Sequence, residues 1–208
     1  MSSALQVTAE VRAGIEKLKD GGVIALPTDT LYALAADATN DAAVERVFEI
    51  KGREGAKPLP LFVSGVDMAR RCATLSPAAE CLARRFWPGA LTLVLPKQAS
   101  FRSLALAGGE TVALRAPDHQ VALEVIDGLG RPLTGTSANR SGGPDPVTAD
   151  VVRRALGGEL DLIIDAGACP AGRPSTIVDC TTDPPAVLRE GVISGEAIRD
   201  ALEDRLPR

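Results

Sequence analysis

Residues 8–26, TAEVRAGIEKLKDGGVIAL, limit the fold more sharply than any other stretch of the chain. Val11, Ile15 and Leu18 recur at the spacing that gathers side chains on one face of a helix, and residues 23–26 then form a short apolar run without that period. Gly21-Gly22 separates the two, so helix, turn and buried strand follow in order. A chain that goes on alternating amphipathic stretches with short apolar runs is expected in the α/β class.

The alternation continues to the end. Asp41 is placed to cap a second helix that carries Val44, Val47 and Phe48 on one face, and PLPLFVS then reads as a strand whose prolines put it at an edge or at its entry. A helical pattern over 78–86 leads through WPG to the strand-like ALTLVLP. Further strands are expected at 112–115, 132–135, 162–165, 176–179 and 187–189, and helices near 120–128, 148–156 and 195–203. No repeat or low-complexity tract divides the 208 residues, so one domain over 1–208 is the expectation.

The totals exclude several classes of function. No apolar run approaches the ~20 residues that span a bilayer, and MSSALQVTAEVR lacks the basic start and apolar core of a signal peptide, so a cytoplasmic protein is expected. Cys72, Cys81, Cys169 and Cys180 match neither a redox pair nor a zinc framework and read as small apolar filler. A net charge of -4 opposes coating of nucleic acid through bulk charge. His119 is the sole histidine and precedes a helical pattern, where a polar helix start explains it better than catalysis does.

What chemistry there is falls at strand ends, where ligands of open α/β sheets bind. Thr28, Asp29 and Thr30 end the first strand, Arg115 ends another, and GTSANRSGGP, residues 135–144, follows a third. PTDT reads equally as a plain turn or a ligand contact. Lys51 lies seven residues after Val44, so its ammonium leaves the second helix on the core side. With Arg53 and Lys57 it makes three cations in KGREGAK, which suit either the helix C-terminal dipole or phosphate. No GxxxxGK[ST] or GxGxxG motif is present, so a nucleotide site here would be built from separate side chains. The hydroxyls, amide and glycines of GTSANRSGGP are good neutral donors to phosphate oxygens. Arg189, in AVLREGVIS, can point into the same crevice or pair on the surface.

Taken in order, GGVIALPTDTLYALA, KGREGAKPL, FWPGALTLVL, VALRAPDH, TGTSANRSGGP, PSTIVDC and VLREG closely resemble the YrdC-type threonylcarbamoyl-adenylate synthases, from about residue 12 to about residue 200. The resemblance implies a three-layer α/β fold, with a mixed twisted open sheet flanked by helices around a basic concave cavity. It also implies a nucleotidyltransferase that converts L-threonine, bicarbonate and ATP to threonylcarbamoyl-AMP and pyrophosphate, with Mg2+ on the phosphates. The product would serve the tRNA threonylcarbamoyl transferase complex, which modifies the adenosine next to the anticodon.

By the same resemblance Thr30, Arg115, Gly135 and Ser175 belong to the threonine site. Lys51, Arg53, Lys57, Thr111, Ser137, Asn139, Asp145 and Arg189 belong to the ATP site, with Lys51 and Arg53 the catalytic cations. Relatives usually have glycine where this chain has Ala33, and often serine where it has Asp145. Some relatives carry a further domain after a linker; this sequence ends near LEDRLPR, so seclusion of threonine is expected from loops at 140–147 or 168–174. Two alternatives keep the fold: a module binding tRNA or double-stranded RNA, against which the aromatic content of 3% stands, and a domain that adenylates carbamoyl phosphate.

Overall fold

The computed structural model describes residues 2–52 and 57–204. Helix α1, Ser2–Lys19, runs over the expected stripe, and Leu18 at its end is fully buried. It begins earlier than the periodicity indicates, and Gln6 on the added turn donates to Glu10 at 3.1 Å. Gly21, at φ 80°, makes the turn that delivers the chain to β1, Ile24–Leu26. A strand absent from the sequence reading follows. β2, Ala33–Ala35, folds back antiparallel on β1 with Leu26 opposite Ala33; LYALA carries no punctuation that would reveal it in the sequence.

Helix α2, Asp41–Lys51, buries Val44 and Val47 fully and leaves Phe48 half-covered. Its cap is Asn40, whose side chain accepts from the Ala43 N–H; Asp41, expected to cap, is instead the first helical residue. β3, Leu61–Phe62, α3, Val66–Cys72, α4, Pro77–Phe86, β4, Leu91–Pro96, and β5, Thr111–Arg115, come next. Of these only α3 had no counterpart in the sequence reading. The prolines of PLPLFVS do mark a strand entry but not an edge, since β3 sits between β5 and β6. The remaining elements are α5, Gln120–Leu129, β6, Leu133–Thr134, β7, Thr136–Ser137, α6, Ala149–Leu156, β8, Leu162–Ile163, β9, Thr176–Asp179, β10, Ala186–Arg189, and α7, Gly195–Glu203.

The strands form two mixed sheets, one of four strands in the order β7-β2-β1-β8 and one of six in the order β10-β9-β4-β5-β3-β6. The single strand expected at 132–135 is where the chain passes from one to the other. Thr134 still donates its N–H to Ala36 O, but the next N–H, that of Gly135, goes to Pro60 O at 2.7 Å. A side chain at 135 would meet the Phe62 ring at 2.6 Å, so glycine lets the two sheets approach at this corner. The core cluster extends from Val11 through both sheets to Ala201. Cys72, Cys169 and Cys180 are buried in it as free thiols. Among the described residues no helix is long and apolar enough to cross a membrane.

Candidate functional site

The two sheets enclose a cavity of about 500 Å3. The smaller sheet contributes Tyr32, Ala33, Thr136 and Ser137, and the larger contributes Thr92, Arg115, Ser175 and Arg189 from strands or their ends. Of the residues singled out in the sequence, Thr30, Arg115, Gly135, Ser175, Thr111, Ser137, Asp145 and Arg189 all line it.

The deep end is built around Arg115, which ends β5 and is 4% exposed. Its Nε donates to Gly89 O at 2.9 Å, its Nη1 to Thr30 Oγ1 at 2.7 Å and its Nη2 to Asp29 Oδ1 at 2.5 Å. Burial pushes the guanidinium pKa down, and the Asp29 carboxylate opposes that shift. Gly89 reaches Arg115 because the WPG turn folds back on β5, with the Gly89 N–H bonded to Ala116 O at 2.8 Å. The hydroxyls here are ordered by one another. Thr28 donates its single proton to Leu31 O at 2.7 Å, so in the 3.0 Å contact between Thr28 and Thr30 the donor is Thr30. Thr30 therefore presents acceptor capacity, already half used by Arg115. Ser175 pairs with Thr92 across 2.8 Å, and both are buried.

GTSANRSGGP forms one wall. Lys51 leaves α2 on the core side, as its spacing requires, and is 2% exposed. Among the described residues its ammonium donates to Ser137 O at 2.7 Å, Asn139 O at 2.6 Å and Asn139 Oδ1 at 2.8 Å. These converging oxygens take the place of water around the buried ammonium. Lys51 and Asn139 thus stand behind the wall, while Ser137 is its inner face. Asn139 Nδ2 also donates to Gly143 O and Pro144 O, which closes the loop on itself. Lys57 is exposed and outside the lining, and Arg53 lies outside the described residues.

At the mouth, Arg189 donates to Ser175 O through Nη2 at 2.9 Å, and Asp145 lies near enough to pull its pKa up against the desolvation that lowers it. The described lining is thus mildly basic, with Arg115 and Arg189 against Asp145. Two polar groups of the site have no role assigned from the sequence. Asp29 lies between the two threonines of PTDT and fixes Arg115. Thr92 is a lone hydroxyl in the apolar strand ALTLVLP, and that oddity was the signal available. His119 is the residue preceding α5, as expected of it, and its buried Nδ1 has no hydrogen-bond partner among the described residues.

Residues 16–191 match the Sua5/YciO/YrdC family model, described as telomere recombination. The chain is 39% identical over 194 residues to the threonylcarbamoyl-AMP synthase of Pyrococcus abyssi, covering 93% of this chain and 57% of that protein. It is 41% identical over 187 residues to the threonylcarbamoyl-AMP synthase of Bacillus subtilis, covering 89% and 54%. The chain therefore spans about half the length of these two relatives. The crystal structure of P. abyssi Sua5 complexed with L-threonine superimposes with a TM-score of 0.88 at 40% identity, covering 92% of this chain and 56% of that one. By the family match over most of its length, the chain belongs to the Sua5/YciO/YrdC family.

Proposed function

We propose that this chain is a nucleotidyltransferase that makes threonylcarbamoyl-AMP and pyrophosphate from L-threonine, bicarbonate and ATP. The observation that carries the reading is the convergence of Thr30, Arg115 and Ser175 with Thr111, Ser137 and Arg189 on one cavity between the sheets. In relatives the names give the product and one solved structure gives the amino acid, and the donors here suit both.

Arg115 keeps two N–H groups beyond the three its protein partners take, and these suit the threonine carboxylate. Thr30 accepts from the amine. The amine adds to CO2 derived from bicarbonate and loses a proton, giving a carbamate. A carbamate oxygen then attacks the α-phosphorus of ATP, the bond to the β-phosphate oxygen breaks, and pyrophosphate leaves. No protein nucleophile is needed; the chain contributes proximity in the cavity between the sheets and donors for the phosphate oxygens. Ser137 and Arg189 lie on the side assigned to the nucleotide, Lys51 and Asn139 stiffen the wall, and Arg53 and Lys57 of KGREGAK are assigned to the phosphates by the family resemblance.

Mg2+ carried on the ATP phosphates would neutralise charge there. The residues fit such an ion: Asp145 is the one carboxylate of the described lining, and Mg2+ takes few protein ligands while keeping water and phosphate oxygens. Delivery of the product to a tRNA threonylcarbamoyl transferase complex in the cytoplasm completes the proposal. The test is pyrophosphate release with ATP, Mg2+ and bicarbonate, with and without L-threonine, and with L-serine in competition. Threonine-dependent release supports the reading. Release driven by carbamoyl phosphate alone, or none with any amino acid, overturns it.

A further inference from the structure

We propose that Asp29 is the positioning residue of the carboxylate end, fixing Arg115 before any ligand arrives; this rests on the threonine reading above. A single oxygen, Asp29 Oδ1, accepts from Arg115 Nη2 at 2.5 Å and from the Asp118 backbone N–H at 3.0 Å. The Asp29 carbonyl accepts from the Ala171 N–H at 3.1 Å. Asp29 therefore ties together three separate segments: the turn between β1 and β2, the turn between β5 and α5, and the loop after β8. Its side chain is 14% exposed and that of Arg115 5%.

Arginine is among the side chains with most rotamer freedom to lose. Here that freedom is lost on folding, because Gly89 O, Thr30 Oγ1 and Asp29 Oδ1 each occupy one N–H on a different nitrogen. One N–H remains on each terminal nitrogen, donors of the kind that carboxylates take in charge-assisted hydrogen bonds. Without Asp29 the ordering cost falls on ligand binding instead, which lowers affinity without adding or removing any ligand contact. The carboxylate also offsets the buried positive charge of Arg115. Asparagine, which keeps the same acceptor oxygen, preserves the orientation and loses only the charge.

The experiment is calorimetric titration of the full chain with L-threonine and separately with Mg-ATP, alongside thermal unfolding. Asp29→Ala is expected to weaken threonine at least tenfold and ATP by less than twofold, and Asp29→Asn is expected to recover threonine affinity to within about threefold of wild type. Asp29→Ser, too short to reach the guanidinium but suited to a turn, takes the place of the alanine variant if that does not fold. Threonine affinity unchanged in the truncated variant overturns the inference, as does an equal loss for both substrates, the mark of a merely structural residue. An asparagine variant as weak as the truncation also overturns it. A wild type that binds no threonine overturns the functional reading itself, and is distinct from a wild type that binds it and variants that bind it equally.

Discussion

Arg115 and Arg189 both line the cavity, but they are held in opposite ways. Arg115 is 4% exposed and bonded to three protein acceptors on two segments. Arg189 ends an edge strand exposed at all four residues and is bonded to one carbonyl, that of Ser175. The same contrast runs through their neighbours, with Thr30 and Ser175 buried at the deep end and Thr111 and Asp145 exposed at the rim. A small, rigid amino acid is best recognised by groups whose geometry is settled in advance, since each fixed donor spares the ligand an ordering cost. A long, flexible polyphosphate is better met by side chains that can follow it, at some loss of specificity. The deep end should therefore couple function to stability, and the rim should not.

That division can be broken most directly at Arg115. Replacing it by alanine leaves Asp29 buried without its partner, a change that costs about 3–5 kcal/mol in comparable buried pairs. Threonine should be weakened about 100-fold, some 2.7 kcal/mol, through loss of two charge-assisted bonds. Thermal unfolding and threonine-dependent pyrophosphate release measure the two effects. An Arg115→Ala protein as stable as wild type, or one impaired only in its use of ATP, would show that the two ends have been assigned the wrong way round.

Lys51→Ala tests the wall between the ends. The sequence suggests a phosphate contact that could be removed with the fold intact, whereas the structure has the ammonium bonded to Ser137 O, Asn139 O and Asn139 Oδ1. Its removal should cost about 1–3 kcal/mol in stability, the usual range for a buried hydrogen-bonding group left without its donor. The ATP requirement should rise as Ser137 loses its support. Lower ATP affinity at an unchanged melting temperature would return Lys51 to direct phosphate contact. Arg189→Ala should behave as a rim residue does. Stability should stay within about 0.5 kcal/mol, as for most surface changes, while the KM for ATP rises about tenfold. A large drop in melting temperature there would erase the contrast with Arg115.

How much of this was legible in advance follows from what each feature depends on. The α/β class and, among the described residues, six of the seven α-helices and most of the strands follow from local periodicity and from glycine stops such as Gly21-Gly22. β2 escaped notice because Ala33, Leu34 and Ala35 are small or apolar on both faces and adjoin no turn residue on either side that would delimit them. The division at Gly135 escaped because it is a change of hydrogen-bond partner, which no local pattern encodes. Thr30, Arg115, Ser137 and Ser175 could be named because each belongs to a motif at a strand end. The role of Asp29 could not, since Arg115, Asp118 and Ala171 meet it only after three distant segments fold together.

The smallest expected effect concerns His119, beside the deep end. Burial lowers its pKa from the ordinary 6.5, against the opposing pull of Asp29 and then Asp118. The folded chain thus holds a neutral imidazole at a pH where the unfolded chain has begun to bind a proton. Stability then rises with pH, is complete above about 6.5, and is lost as the solution is acidified below that value. Asparagine is a favoured residue at a helix start, so His119→Asn keeps α5 while removing the titrating group. Carboxylates such as Asp161, whose pKa is lowered where its side chain meets the Val23 N–H and Arg46, lose stability in acid in both proteins and cancel in the comparison. Melting temperatures at pH 5 and pH 7.5 should show a steeper acid loss in wild type than in His119→Asn. Equal slopes would mean that protonating the imidazole costs the deep end nothing, and that its fixed geometry tolerates a charge beside Asp29.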